Sequence, residues 1–230
     1  MKVVRTKQVL KTYNSNSIPV RALRGVDLDI EAGEFTAIVG PSGSGKTTLL
    51  NIIGGLDRPS SGYVEVDEVD ISRLSDNQLI DFRKNKIGFV FQAYNLIPVL
   101  TAFENIEFVM LLQKWSKIDR IKRTEELLQA VDLMEQAYKR PSKLSGGQQQ
   151  RVAVARALAP KPSFILADEP TANLDSKSTA NLLDIMLRLN QEEDMTFIFS
   201  THDQRVIDRA RRVVTLEDGK IVSDIDQVLP

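Results

Sequence analysis

Apolar and polar positions change period several times along this chain, and the changes mark its elements. Val3 to Leu10 and Val26 to Ile30 read as short strands, the second alternating apolar and polar as a half-buried sheet does. Ala32-Gly33-Glu34 turns the chain into Phe35 to Val39, a continuous apolar run of the kind a buried parallel strand shows. That run leads directly into Gly40-Pro41-Ser42-Gly43-Ser44-Gly45 and an apolar helical stretch from Thr47 to Leu56. The order is strand, glycine loop, helix. Pro59-Ser60-Ser61-Gly62 then breaks the pattern, and strands resume at Tyr63 to Val66 and Ile87 to Phe91, with a polar helix near Asp76 to Lys84 between them.

From Ala102 to Tyr138 apolar residues fall at helical spacing, first Ile106, Val109 and Met110, then Leu127, Leu128, Val131 and Leu133. This predicts a helical insertion, and the helical reading extends back across Gln92 to Gln113. After Ser145 the alternation returns: helix to Leu158, buried strand Phe164 to Ala167, helix Ser176 to Gln191 and strand Thr196 to Ser200. A further helix and two edge strands, near Val213 to Leu216 and Lys220 to Val222, complete the pattern. Alternating strand and helix predicts an α/β fold, a parallel sheet with helices on both faces.

Composition narrows the partners more than the fold. With 230 residues, 42% hydrophobic and 27% charged, the chain is long enough for one large domain or a domain with an insertion. Lys and Arg total 30 against 31 Asp and Glu, so a net charge of −1 gives no global reason to expect nucleic acid. The absence of cysteine excludes disulfides and thiolate zinc sites. Met1 to Tyr13 carries Lys2, Arg5, Lys7 and Lys11 and lacks an apolar run of signal-peptide length. The most apolar later stretch, Phe108 to Leu112, falls far short of the roughly 18 residues a spanning helix needs. If this chain serves a membrane, it borrows one from a partner.

Residues Gly40 to Thr47 match the P-loop pattern completely. Its glycines let successive backbone N–H groups of Gly40, Pro41-flanked Ser42, Gly43, Ser44 and Gly45 turn toward phosphate oxygens, and the helix starting near Thr47 and Thr48 adds its positive end. Lys46 supplies a mobile charge for the β- and γ-phosphates and Thr47 a hydroxyl for magnesium. Farther on, Phe164 to Glu169 is an apolar strand ending in two carboxylates, where a doubly wound sheet gathers its ligands. Asp168 is positioned to hold magnesium and Glu169 to polarise an attacking water. Such acidic pairs often only solvate a turn, but the P-loop favours the catalytic reading.

Leu144-Ser145-Gly146-Gly147-Gln148 precedes another helix, with Ser145 at its N-cap and two glycines baring the first N–H groups as a second anion site. Together with Gly40 to Thr47 and Ala167-Asp168-Glu169-Pro170, this segment resembles the ATP-binding cassette family over essentially the whole chain. The resemblance implies a P-loop ATPase fold: a parallel-sheet core with an N-terminal antiparallel β subdomain, over residues 1–91 and 160–230, and an inserted helical subdomain over about 92–159. It implies ATP and Mg2+ as ligands. Tyr13 then stacks on adenine, Gln92 reaches magnesium and the lytic water, and Asp175, in Asn173-Leu174-Asp175, lies where two cassettes meet. His202, the chain's only histidine, contacts the γ-phosphate.

In this family Ser145 to Gln148 of one copy closes on the nucleotide of the other, so the resemblance implies a homodimer with two composite sites. It also implies separate transmembrane permease subunits, with this chain peripheral on the cytoplasmic face of a bacterial inner membrane. The runs Ile53 to Asp57, Gln92 to Ile106 and Leu166 to Asp175 are similar to the subgroup that drives lipoprotein release and macrolide or peptide export. Ala172 stands where a glycine is usual, a change tolerated unless the turn needs positive φ. An apolar cluster of Leu96, Ile97, Val99, Leu100 and Phe103 is the expected coupling surface. The alternative function is an ATP-gated clamp that signals through a membrane partner without transport.

Overall fold

The computed structural model describes residues 1–15 and 18–227. Two long strands, β1 (Lys2–Ser15) and β2 (Ile18–Glu31), run antiparallel and lead to β3 (Phe35–Val39) and α1 (Lys46–Ile53). Next come β4 (Ser61–Val66), β5 (Val69–Asp70), α2 (Asp76–Lys86) and β6 (Ile87–Phe91). Three helices follow, α3 (Ala102–Leu112), α4 (Lys117–Ala130) and α5 (Gly146–Leu158). The chain then alternates through β7 (Phe164–Asp168), α6 (Ser176–Glu193), β8 (Thr196–Ser200), α7 (Gln204–Ile207), β9 (Arg212–Glu217) and β10 (Lys220–Asp226).

These strands make two sheets. One is antiparallel, ordered β2-β1-β4-β5; the other is ordered β10-β9-β3-β8-β7-β6, parallel except for the pairing of β10 with β9. Because side chains alternate across a strand, the parallel sheet splits its apolar residues between two cores. Phe35, Ile165, Phe197 and Phe199 pack on one side with α3, α4, α5 and α6. Ile38, Phe164, Leu166 and Ile198 pack on the other with α1 and the antiparallel sheet. Burial on both faces explains why β3, β7 and β8 are dominated by apolar residues rather than alternating.

Helix starts follow the side chains that cap them. Ser75 with Gln78, Thr101 with Glu104 and Ser145 with Gln148 each form a reciprocal capping box, satisfying N–H groups that a helix leaves unpaired. Two expectations are corrected. Residues 92–101 are not helical despite the spacing of Leu96, Ile97 and Leu100, because Tyr94 and Asn95 turn left-handed (φ 55 and 51) and Pro98 lacks a donor. The helical stretch read from Ala102 to Tyr138 holds α3 and α4, separated where Lys114 adopts φ 63 and Ser116 caps α4. Finally, β9 is not an edge strand, since it pairs with β3 on one side and β10 on the other.

Candidate active site

Sheet register gathers the site. Phe91 pairs with Asp168 and Asp168 with Ser200, while Ile38 pairs with Ser200, so the parallel strands finish together at one edge. One step beyond that row the chain delivers Gln92, Glu169 and Thr201-His202 beside the loop that leaves β3. Ligands collect outside the carboxyl ends of strands in such sheets. There Gly40, Pro41, Ser42, Gly43, Gly45, Lys46, Thr47, Thr48, Gln92, Glu169 and His202 line a cavity of about 620 Å³.

Glycine is required in the loop by space as much as by conformation. A Cβ on Gly40 would lie 2.0 Å from the Leu216 carbonyl oxygen, and one on Gly45 2.5 Å from that of Ala22. Gly45 is the N-cap of α1, left-handed at φ 105 and without a side-chain cap, so the first N–H groups of α1 have no side chain competing for them. Lys46 Nζ donates to the Gly40 and Pro41 carbonyls at 2.8 and 3.1 Å, folded across the loop it serves. Ser44 is buried, and its Oγ has no hydrogen-bond partner among the described residues. Thr47 Oγ1 donates to Asp168 Oδ1 at 3.2 Å, setting a hydroxyl and a carboxylate side by side.

Glu169 turns left-handed (φ 47) immediately after β7, a conformation that a non-glycine residue holds only when its surroundings fix it. Its N–H donates to the Ser200 carbonyl at 2.9 Å. Its carboxylate meets His202 Nδ1 at 2.7 Å and accepts from Thr201 Oγ1 at 3.4 Å. Below this pair, Asp203 accepts from Arg205 and from Thr171 Oγ1. The adjacent Arg205 guanidinium, against the effect of burial and aided by Thr171, holds the Asp203 pKa at about 2. Ala172, in the same turn, is not among the positive-φ residues, so the glycine usual there is not needed.

Other expected site residues lie apart. Ser145, Gly147 and Gln148 line a separate cavity of about 240 Å³ with Arg151, Lys177, Ser178 and Asn181, sharing no residue with the P-loop cavity. The glycines there are half-buried rather than bare: a Cβ on Gly146 would meet Tyr94 Oη at 2.8 Å, and one on Gly147 Ser178 Oγ at 2.7 Å. Asp175 caps α6 by accepting from the Ser178 N–H at 2.8 Å. Tyr13 does not line the P-loop cavity; its hydroxyl donates to Asp57 at 2.8 Å, with Lys11 Nζ over its ring. Sequence reasoning missed Val20, Arg21 and Ala22 of β2, which form a cavity wall. Their signal was a continuation of β2 upstream of Val26 that short-window alternation did not reach. A larger cavity of about 770 Å³ at the opposite sheet end has no glycine loop, and its Arg212 is already paired with Glu34 and Asp224.

A glycine loop with a free helix start, a lysine folded over it and a carboxylate beyond the next strand end define a P-loop nucleoside triphosphatase. A family model described as ABC transporter matches residues 23–172, and the chain belongs to that family as an ATP-binding, ATP-hydrolysing subunit. It is 46% identical to the lipoprotein-releasing system ATP-binding protein LolD of Anaeromyxobacter dehalogenans, over 96% of this chain and 93% of that one. It is 44% identical to the macrolide export ATP-binding/permease protein MacB of Syntrophobacter fumaroxidans, over 99% of this chain but 33% of that protein. Among solved structures, the dimeric ATP-binding cassette MJ0796 of Methanocaldococcus jannaschii in a post-hydrolysis state, bound to ADP and Pi, superposes with a TM-score of 0.89. That pair is 45% identical, with 97% and 98% of the chains covered. No helix among the described residues is long and apolar enough to cross a membrane.

Proposed function

We propose that two copies of this chain close around two Mg-ATP molecules and drive a separate membrane permease of the lipoprotein-release or macrolide-export type. The observation that carries the reading is the separation of the two anion sites on one chain: the P-loop cavity and the Ser145 cavity share no residue. Each is half a site, and a two-fold arrangement unites one copy's P-loop with the other copy's Ser145 to Gln148. The similarity to LolD and MacB supports the export assignment and a position on the cytoplasmic face of the inner membrane. The division into a core of residues 1–91 and 160–230 and a helical part of about 92–159 belongs to the same reading.

Adjacent hydroxyl and carboxylate oxygens of Thr47 and Asp168 suit a hard cation. Thr47 and Asp168 would hold magnesium there, and the ion would supply positive charge to the terminal phosphates. Lys46 exchanges its loop carbonyls for phosphate oxygens, and Gln92 closes the wall where the lytic water sits. Glu169 takes a proton from that water as its oxygen bonds to the γ-phosphorus and the bond to the β-phosphate oxygen breaks. His202, against Glu169 at 2.7 Å, orients the carboxylate and faces the γ-phosphate. Tyr13 serves the adenine and Asp175 the seam between copies.

The test is the mass of Glu169→Gln in solution, by sedimentation, with and without Mg-ATP. The expected result is a dimer only with nucleotide; a monomer at every nucleotide concentration refutes the composite site.

A further inference from the structure

Residues 92–101 join β6 to α3 without regular structure, yet side chains from three directions hold them. Buried Asn105 accepts from the Ile97 N–H at 2.8 Å and donates to the Leu100 and Thr101 carbonyls at 3.1 and 2.9 Å. At the other end Gln150, buried on α5, donates to the Phe91 and Pro170 carbonyls at 3.3 and 2.8 Å, and Asn173 Nδ2 donates to the Gln92 carbonyl at 3.0 Å. The middle depends on one residue. Arg156, in the last turn of α5, donates from Nη1 to the Asn95 carbonyl at 2.5 Å and from Nη2 to the Tyr94 carbonyl at 2.9 Å. These consecutive carbonyls belong to the two left-handed residues that make the segment a loop (φ 55 and 51). Burial alone pushes the Arg156 pKa below the ordinary arginine value. A half-buried guanidinium given to two loop carbonyls is a specific geometric commitment, because its planar fork spans both acceptors where an ammonium offers a point charge.

We propose that Arg156 is a positioning residue, whose two bonds to Tyr94 and Asn95 fix Gln92 in the wall of the nucleotide cavity and tie that loop to the helix that begins at Ser145. The catalytic half of this proposal rests on the role assigned to Gln92 above. An arginine that merely finished α5 would affect stability alone, since its partners would be the helix's own last carbonyls. The carbonyls it actually meets lie some sixty residues earlier in the chain, at the segment between β6 and α3.

The experiment uses the whole chain with Arg156→Lys, Arg156→Met, Gln92→Ala and the double variant Arg156→Lys/Gln92→Ala. Its first readout is deuterium exchange without nucleotide. Amides of residues 93–101 are expected to exchange about ten-fold faster or more in the Arg156 variants, while β3, β7 and β8 stay protected. Unchanged exchange in that segment overturns the clamp. The second readout is turnover. Arg156→Lys is expected to lower kcat about 10- to 100-fold with KM little altered, the scale of a misplaced catalytic group. In the double variant the loss should not exceed that of Gln92→Ala alone; losses that multiply mean that Arg156 does not act through Gln92. Normal turnover in Gln92→Ala refutes the role of Gln92 itself, and exchange then still decides the clamp. Should Arg156→Met fail to fold, Arg156→Lys carries both readouts.

Discussion

Helices α1 and α5 both begin beside glycines, but only α5 has a side-chain cap. At α1 the cap is left-handed Gly45 with no side-chain bond, and Lys46 and Thr47 stand beside the free donors. At α5 the Ser145 side chain accepts from the Gln148 N–H while Gln148 Oε1 accepts from the Ser145 N–H, so two N–H groups of that start are already paired. The first is a cradle that needs phosphate to complete it; the second is a stable, half-buried corner that can cover a phosphate held elsewhere. Under the proposed function this difference gives the two starts unequal duties, binding at α1 and closure at α5.

The contrast can be broken at either end. The largest effect belongs at the α1 site: Glu169→Gln should cost roughly 10²- to 10⁴-fold in turnover while leaving ATP affinity intact, measured by steady-state hydrolysis beside a fluorescent-nucleotide titration. Equal loss of binding would give Glu169 a structural duty instead. Asp203 comes next. Its pKa of about 2 lies below the ordinary 3.8, held there chiefly by Arg205. A depressed carboxylate pKa gives stability that is full above pH ~4 and lost as pH falls toward ~2, at most about 2 kcal/mol and less once solvent screens the exposed Arg205. Denaturant unfolding at pH 7 and pH 2.5 should therefore show wild type losing more stability on acidification than Asp203→Asn. The smallest effect is at α5, where Ser145→Ala removes a cap and should cost about 1 kcal/mol in the same unfolding assay.

Much of this was legible in the sequence where local chemistry and sheet burial agree. Phe35 to Thr47 announces strand, loop and helix because both faces of β3 are buried and the loop tolerates no Cβ at Gly40. The Ser145 cap was readable for the same reason, its Gln148 partner lying three residues on. What escaped depends on distant contacts. The apolar residues of 92–101 sit at helical spacing, but Arg156 and Asn105 hold their backbone in a loop from outside the segment. β9 has the half-buried alternation of an edge strand, yet β10 covers its second side. The strand holding Val20 to Ala22 extends well before the alternation that signals it, because β1 pairs with β2 along nearly its whole length. The bond from the Tyr13 hydroxyl to Asp57 is likewise a long-range contact that no local pattern indicates.

The composite site is tested most directly by ATP turnover across a series of protein concentrations, for wild type and for Ser145→Arg, with thermal melting to confirm that the variant folds. Turnover per chain that rises with concentration and is lost in Ser145→Arg is the result predicted here. Turnover proportional to concentration and surviving in Ser145→Arg would mean that each chain works alone, and would contradict the account.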